Sequence, residues 1–229
     1  MALKSKVRES ADEAVSVIGD GATVMIGGFM ACGTPEILID ALVKKGVKGL
    51  TVICNDAGVP GRGTGKLLAN GQIKTLIGSH FGLNPEVARR MNTDVAADKL
   101  ECIMIPQGTF AERIRAGGSG LGGFLTPTGF GTVIAEGKQV ITVEGKSYLL
   151  ELPLKADFAL IRGTRADTFG NIVYNGTTRN FNPLMAAAAE YVIAGACEIV
   201  EVGRIDPNNI VTSGIFVDAV VGGEQPWKI

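Results

Sequence analysis

The chain has 229 residues, 46% hydrophobic and 20% charged, an ordinary globular balance with enough length for one large core. A formal net charge of -1 and a pI near 5.9 give no electrostatic reason to expect nucleic acid or an anionic membrane as partner. Four dispersed cysteines and one histidine draw no zinc framework, and no apolar run reaches the roughly eighteen residues of a membrane span.

No apolar run follows the charged stretch Met1 to Lys6, so no signal peptide is expected and a reduced cytoplasm is the default compartment. Apolar residues at Val7, Ala11, Ala14, Val15 and Ile18 have helical spacing. Thr23 to Ile26 is a short apolar run with β-branched members, read as a buried strand. Thr34-Pro35-Glu36 then supplies a helix start, with Ile37, Leu38, Ala41 and Leu42 on one apolar face. Leu50 to Cys54 and Lys74 to Ile77 read as strands, and Asn84-Pro85-Glu86 opens a short helix through Met91. Leu100 to Ile105 is a strand followed by a helix over Thr109 to Ala116. Val140 to Val143 and Ser147 to Leu150 flank Glu144-Gly145-Lys146 as a β-hairpin. Asp157 to Ile161 is a strand and Pro183 to Glu190 a helix; Tyr191 to Ala194, Glu198 to Val202 and Ile215 to Val221 are further strands.

Strands alternating with helices predict an α/β fold: a mostly parallel sheet with helices on both faces and a local antiparallel hairpin. Nothing in composition splits the chain, so residues 1–229 are read as a single domain. Ligands of open α/β sheets sit beyond the carboxyl ends of the strands. That singles out the loops beginning at Gly27, Asn55, Gly78, Pro106 and Gly163.

Two glycine-rich strings are decoys. Gly118-Ser119-Gly120-Leu121-Gly122-Gly123 spells a dinucleotide fingerprint but follows a helix instead of a strand. Pro60 to Leu67 approaches a P-loop but lacks its first glycine and its Mg²⁺-holding hydroxyl, and reads as a flexible surface loop. A phosphate contact from Arg62 or Lys66 stays open. The segment Val24-Met25-Ile26-Gly27-Gly28-Phe29 is the more informative one. Two glycines after a buried strand expose backbone N–H groups, and the helix that follows adds its own positive end, which suits a carboxylate or developing oxyanion.

That segment, continued as Met30-Ala31-Cys32-Gly33-Thr34-Pro35, resembles the signature of α subunits of family I CoA-transferases. So do Asn55-Asp56-Ala57-Gly58, Ser79-His80-Phe81-Gly82-Leu83-Asn84-Pro85-Glu86 of the acetate/acetoacetate type, Pro106-Gln107-Gly108-Thr109-Phe110-Ala111-Glu112-Arg113-Ile114-Arg115-Ala116-Gly117-Gly118, Thr126 to Thr132, and Arg179-Asn180-Phe181-Asn182-Pro183. The resemblance implies a three-layer fold shared with sugar-phosphate isomerases. It implies transfer of CoA between an acyl-CoA and a short carboxylate or 3-oxoacid of the acetate, acetoacetate or butyrate type. In the family a glutamate attacks the thioester, a mixed anhydride forms, and CoA thiolate then gives a glutamyl-CoA intermediate. The glutamate lies in a Ser-Glu-Asn-Gly-like motif of the β subunit, and no such motif occurs here. The chain is therefore expected to act only with that β subunit, as an α2β2 or larger assembly. CoA is then a substrate, with no permanently bound cofactor and no metal.

By the same resemblance Gln107 donates to the oxyanion or positions substrate, and Gly27, Gly28, Phe29, Asn55, Asp56 and His80 line the substrate site. Competing uses exist for several. Gln107 could cap a helix, Phe29 could be core, Asn55-Asp56 could be turn chemistry, and His80 need not be a base, since the nucleophile is a carboxylate. Cys32 and Cys54 read as small core residues, while Arg179 and Asn180 could bind a carboxylate or join a subunit contact. Two rival readings use the same residues: a phosphosugar-binding or isomerase-like protein, and a self-sufficient enzyme acting through Glu36, Glu112 or Glu144.

Overall fold

A computed structural model describes residues 4–225. Residues 1–3, half of the N-terminal stretch read as no signal peptide, fall outside it. In chain order the elements are α1 (Ala11–Ala14), β1 (Thr23–Ile26), α2 (Glu36–Lys45), β2 (Leu50–Ile53), α3 (Thr64–Ala69), β3 (Ile73–Gly78), α4 (Pro85–Met91), β4 (Glu101–Met104) and α5 (Gln107–Gly118). There follow β5 (Phe124–Thr126), β6 (Val140–Val143), β7 (Lys146–Glu151), β8 (Ala156–Asp167), β9 (Ile172–Val173), α6 (Asn182–Ala187), β10 (Ala189–Val200) and β11 (Ala219–Gly222).

Seven strands form one parallel sheet in the order β11-β10-β8-β1-β2-β3-β4, and β9 adds antiparallel to the far end of β8. Both faces are covered. Val24 and Ile26 of β1 pack with Leu38, Ile39 and Leu42 of α2 and Leu67 and Leu68 of α3 on one side. Met25, between them in sequence, joins Phe110 and Ile114 of α5 and Met185 of α6 on the other. The period-two alternation of a strand thus feeds two cores, and that is why β1 reads as an unbroken apolar run. Separately, β5-β7-β6 make a small antiparallel sheet.

The parallel sheet, its helical layers and the hairpin agree with expectation. Glu144 (φ 49°) and Gly145 (φ 76°) turn the hairpin with the positive φ pair of a type I′ turn. Other boundaries move for tertiary reasons. The first helix begins only at Ala11, capped by the Ser10 hydroxyl, because Val7 bridges to Val220 in the sheet. Thr34 does not cap α2: Pro35 holds the cap position and makes no cap bond of its own. The two strands expected over Tyr191 to Val202 are one strand, β10, because β8 pairs with it from Ala189 to Val200. The last strand is shorter than Ile215 to Val221, since Gly214–Phe216 is a 3-10 turn.

Neither decoy behaves as a cofactor loop. Gly118 closes α5 and Phe124 opens β5, so the GxGxxG string links a helix to an antiparallel strand. The P-loop-like string is not a flexible loop: α3 begins inside it, and Lys66 is held at 2.6 Å by both Glu36 and Asp40. Its ammonium is committed to carboxylates instead of a phosphate.

Candidate functional site

Successive loops at the carboxyl edge of the sheet carry the candidate residues. Reading across β8, β1, β2, β3 and β4, that edge presents Arg162, the Gly27 turn, Asn55-Asp56, Ser79-His80 and Pro106-Gln107. Gly163, expected to open a fifth loop, lies inside β8, which runs on to Asp167 beside β10.

Beyond β1 the chain makes a tight double-back. Phe29 and Cys32 exchange N–H···O bonds of 2.9 and 2.8 Å. Met30 (φ 48°) and Ala31 (φ 64°) between them are both left-handed without being glycine. Such residues cost about 1–3 kcal/mol each and persist only where the surroundings force them. Asp56 supplies part of that force, one carboxylate oxygen accepting from Met30 N–H (2.9 Å) and the Asn55 amide (2.9 Å), the other from Gly58 N–H (3.0 Å). Phe29 and Met30 are 45% and 48% exposed, so Phe29 is not core.

The glycine N–H groups are not open donors. Gly27 N–H goes to Leu160 O (3.0 Å) and Gly28 N–H to Asn180 Oδ1 (3.1 Å). The start of α2 is taken as well, with Ile37 N–H bound to Glu224 Oε1 at 3.2 Å. The expected anion cradle is therefore satisfied from within the chain. The glycines serve close packing instead: a Cβ on Gly27 would lie 1.9 Å from Asn182 Oδ1, and one on Gly28 2.2 Å from Thr34 Oγ1.

Asn55 and Asp56 are buried and bonded to their neighbours; Ser79 Oγ donates to the Asn55 side chain at 2.9 Å. Their side chains tie the β1, β2 and β3 loops together. His80 is exposed, and its backbone bridges to Asp56. Gln107 does not begin a loop; it is the first residue of α5, exposed, and no side chain caps that helix. It stands three strand spacings from the glycine turn, roughly 14 Å at strand level. The turn, Asn55, Asp56 and His80 form one hydrogen-bonded group, and Gln107 stands apart from it on the same edge.

Of the carboxylates weighed as nucleophiles, Glu36 pairs with Lys66, Glu112 pairs with Arg115 at 2.8 Å on an exposed helix face, and Glu144 sits at the hairpin tip. Cys54 is buried, and that burial pushes its thiol far up; it is a core residue. Cys32 is half-buried, its sulfur 3.1 Å from Thr177 Oγ1. Asn180, weighed as a carboxylate ligand, has its amide committed to the glycine turn.

No motif or spacing points to Glu224, which follows the last strand. Its carboxylate caps the start of α2, lies 3.9 Å from Arg162 Nε, and fits because position 195 is glycine, where a Cβ would be 2.8 Å from Oε1. Burial pushes its pKa up to about 7, against the pull of Arg162 and the Ile37 N–H and with a further push from Glu36 and Asp40. A carboxyl raised on folding contributes stability that is full below its unfolded pKa and lost as pH rises through the folded value. The thermal midpoint should therefore lose this contribution between about pH 4.5 and 7. Glu224→Gln should flatten that part of the profile; equal slopes in the two proteins would refute the assignment.

Residues 8–223 match the coenzyme A transferase family. The chain is 47% identical over 223 residues to the acetate CoA-transferase subunit alpha of Escherichia coli K12, covering 97% of this chain and 99% of that one. It is 50% identical over 206 residues to the acetoacetyl-CoA:acetate/butyrate CoA transferase alpha subunit of Clostridium acetobutylicum, covering 90% and 93%. Among solved structures, an acyl-CoA transferase of E. coli O157:H7 in a thioester complex with CoA superposes with a TM-score of 0.84 at 23% identity. That match covers 96% of this chain and 47% of the other, so this chain has the fold of about half of that protein.

Proposed function

This chain belongs to the coenzyme A transferase family, and from that premise we propose that it is the α subunit of a heteromeric enzyme moving CoA between an acyl-CoA and a short carboxylate or 3-oxoacid. Residues 1–229 are read as one domain, because a single sheet joins Val7 near one end to Val220 near the other. The observation that carries the subunit reading is the state of its carboxylates. Glu36, Glu112 and Glu144 are ion-paired or placed on a hairpin, and no Ser-Glu-Asn-Gly motif occurs in the sequence. In this reading the covalent carboxylate comes from a β subunit. Support for a partner at the site comes from β4, the edge strand next to Gln107, whose Ile103 and Met104 are 41% and 59% exposed. An uncovered apolar edge is a liability that a second chain removes.

In this reading the partner's glutamate attacks the thioester carbonyl and CoA thiolate leaves, giving a mixed anhydride. The thiolate then attacks the glutamyl carbonyl, the first carboxylate leaves, and glutamyl-CoA remains. The second acid reverses both steps. Each addition gathers negative charge on a carbonyl oxygen, and Gln107 has the uncommitted amide N–H to meet it. Phe29 and Met30 offer apolar surface to the short acyl chain, while Gly27, Gly28, Asn55 and Asp56 shape the wall, with His80 at its rim. CoA is consumed and regenerated as substrate, and no permanently bound cofactor is invoked. An α2β2 or larger assembly in the cytoplasm suits four free thiols and the half-length match.

The test is co-expression with a partner carrying a Ser-Glu-Asn-Gly-like motif. A stable complex should transfer CoA from acetoacetyl-CoA to acetate or butyrate, and the chain by itself should not. Full activity of the isolated chain would refute the subunit reading, and thermal stabilisation by sugar phosphates but not by CoA esters would refute the reaction.

A further inference from the structure

The segment between β9 and α6 has no part in the chemistry above, yet it grips the glycine turn at both ends. Asn180 Oδ1 accepts from Gly28 N–H (3.1 Å) at the entry and from its neighbour Phe181 N–H (2.6 Å). Its Nδ2 donates to Cys32 O (2.9 Å) at the exit and to Thr177 O (2.8 Å). A primary amide has two donor hydrogens and two acceptor lone pairs, so Asn180 is saturated. Asn182 adds Gly33 O (2.9 Å) and is fully buried, bound also to Arg162 N–H (2.9 Å). Gly33, at φ 72°, leaves the room: a Cβ there would lie 2.7 Å from Asn180 Nδ2. Between the gripped ends stand Met30 and Ala31 in their left-handed conformations.

We propose that Asn180 is a positioning residue for the transferase reaction: by bridging Gly28 and Cys32 it holds the turn in the strained shape that presents Phe29 and Met30 at the carboxyl edge. It touches no reacting atom and acts through the turn. The proposal rests on the reading of that turn as a wall of the acyl site. Asn180 is only half-buried, so its replacement opens no core cavity. Neither replacement used as a test keeps this pattern: aspartate keeps the acceptors but turns a carboxylate on two carbonyl oxygens, and alanine keeps nothing.

In the complex with its partner, Asn180→Ala and Asn180→Asp are expected to lower kcat at least tenfold while KM for the acyl-CoA moves less than threefold. Amide hydrogens of residues 28–33 should lose exchange protection in both. Adding Ala31→Gly to Asn180→Ala removes the side-chain penalty at a left-handed position and restores no hydrogen bond. At a temperature well below the thermal midpoints of both variants, where a loss of global stability leaves turnover unchanged, it should recover at least threefold in kcat. Wild-type turnover in either variant, or lost turnover with protection of 28–33 unchanged, overturns the proposal. If the wild-type complex transfers no CoA, the acyl-site reading falls, and with it Asn180's role in the reaction; the exchange data then show separately whether the grip on the turn exists.

Discussion

Gln107→Ala, made in the assembled complex, is expected to lower kcat about 100-fold, roughly 2.7 kcal/mol of lost transition-state stabilisation. The KM for acyl-CoA should change little, because an oxyanion donor acts on charge that exists only near the transition state. The position favours this role. Gln107 opens α5 next to the edge strand, its side chain is exposed, and no helix cap claims its amide. A partner covering that edge would remove water around the amide and strengthen its bond to a developing oxyanion. Gln107→Glu is the sharper variant. It keeps the size and shape but replaces the donor with an acceptor charge, so it should be at least as damaging as alanine. Initial rates give the kinetic split, and size-exclusion chromatography confirms that the complex is intact. Wild-type turnover in either variant would remove Gln107 from the chemistry.

Gly27→Ala is expected to cost about 3 kcal/mol or more of stability, a drop on the order of 10 °C in thermal midpoint for a chain of this length. The added methyl would sit 1.9 Å from Asn182 Oδ1. That oxygen cannot withdraw cheaply. It accepts the Arg162 N–H, and its amide partner is bonded to Gly33 O and Thr178 O, all in a residue with no solvent exposure. Moving it strands buried polar groups, each a further penalty of about 1–3 kcal/mol. Gly108→Ala is the control, since nothing lies within 4 Å of a methyl there and the position is helical. Calorimetry should find the control unchanged or slightly stabilised. Equal midpoints for Gly27→Ala and wild type would show that the turn relaxes more easily than this packing implies.

Local signals in the sequence located most of the sheet. The run Thr23 to Ile26 and the cap Asn84 before Pro85 fall where the periodicity and helix-start chemistry put them. Gly27, Asn55, His80 and Gln107 do share one edge, although Gln107 opens a helix there instead of a loop. What escaped depends on contacts between distant residues. β10 reads as two strands until the twelve-residue β8 pairs alongside it. The glycine turn reads as an open anion cradle because Asn180 lies 152 residues from Gly28, and Glu224 lies 187 residues from Ile37. No spacing rule links such pairs. The start of α3 was hidden by glycines at positions 61, 63 and 65, which local propensity counts against a helix although α3 contains Gly65.

The strand order carries a further consequence for the chain as it is made. β1 lies at the centre of the sheet, yet its two neighbours are β2, which follows at once, and β8, whose Asp157 is 134 residues beyond Thr23. At about 5–20 residues per second of synthesis, β1 waits roughly 7–27 s at the ribosome with the backbone N–H and C=O groups of one edge unpaired. The half-sheet β1-β2-β3-β4 can assemble during that interval, but its open side is a template for any other nascent strand. Overproduction at high temperature should therefore send this chain to inclusion bodies through its first half, and slower synthesis or added holdase chaperone should recover it.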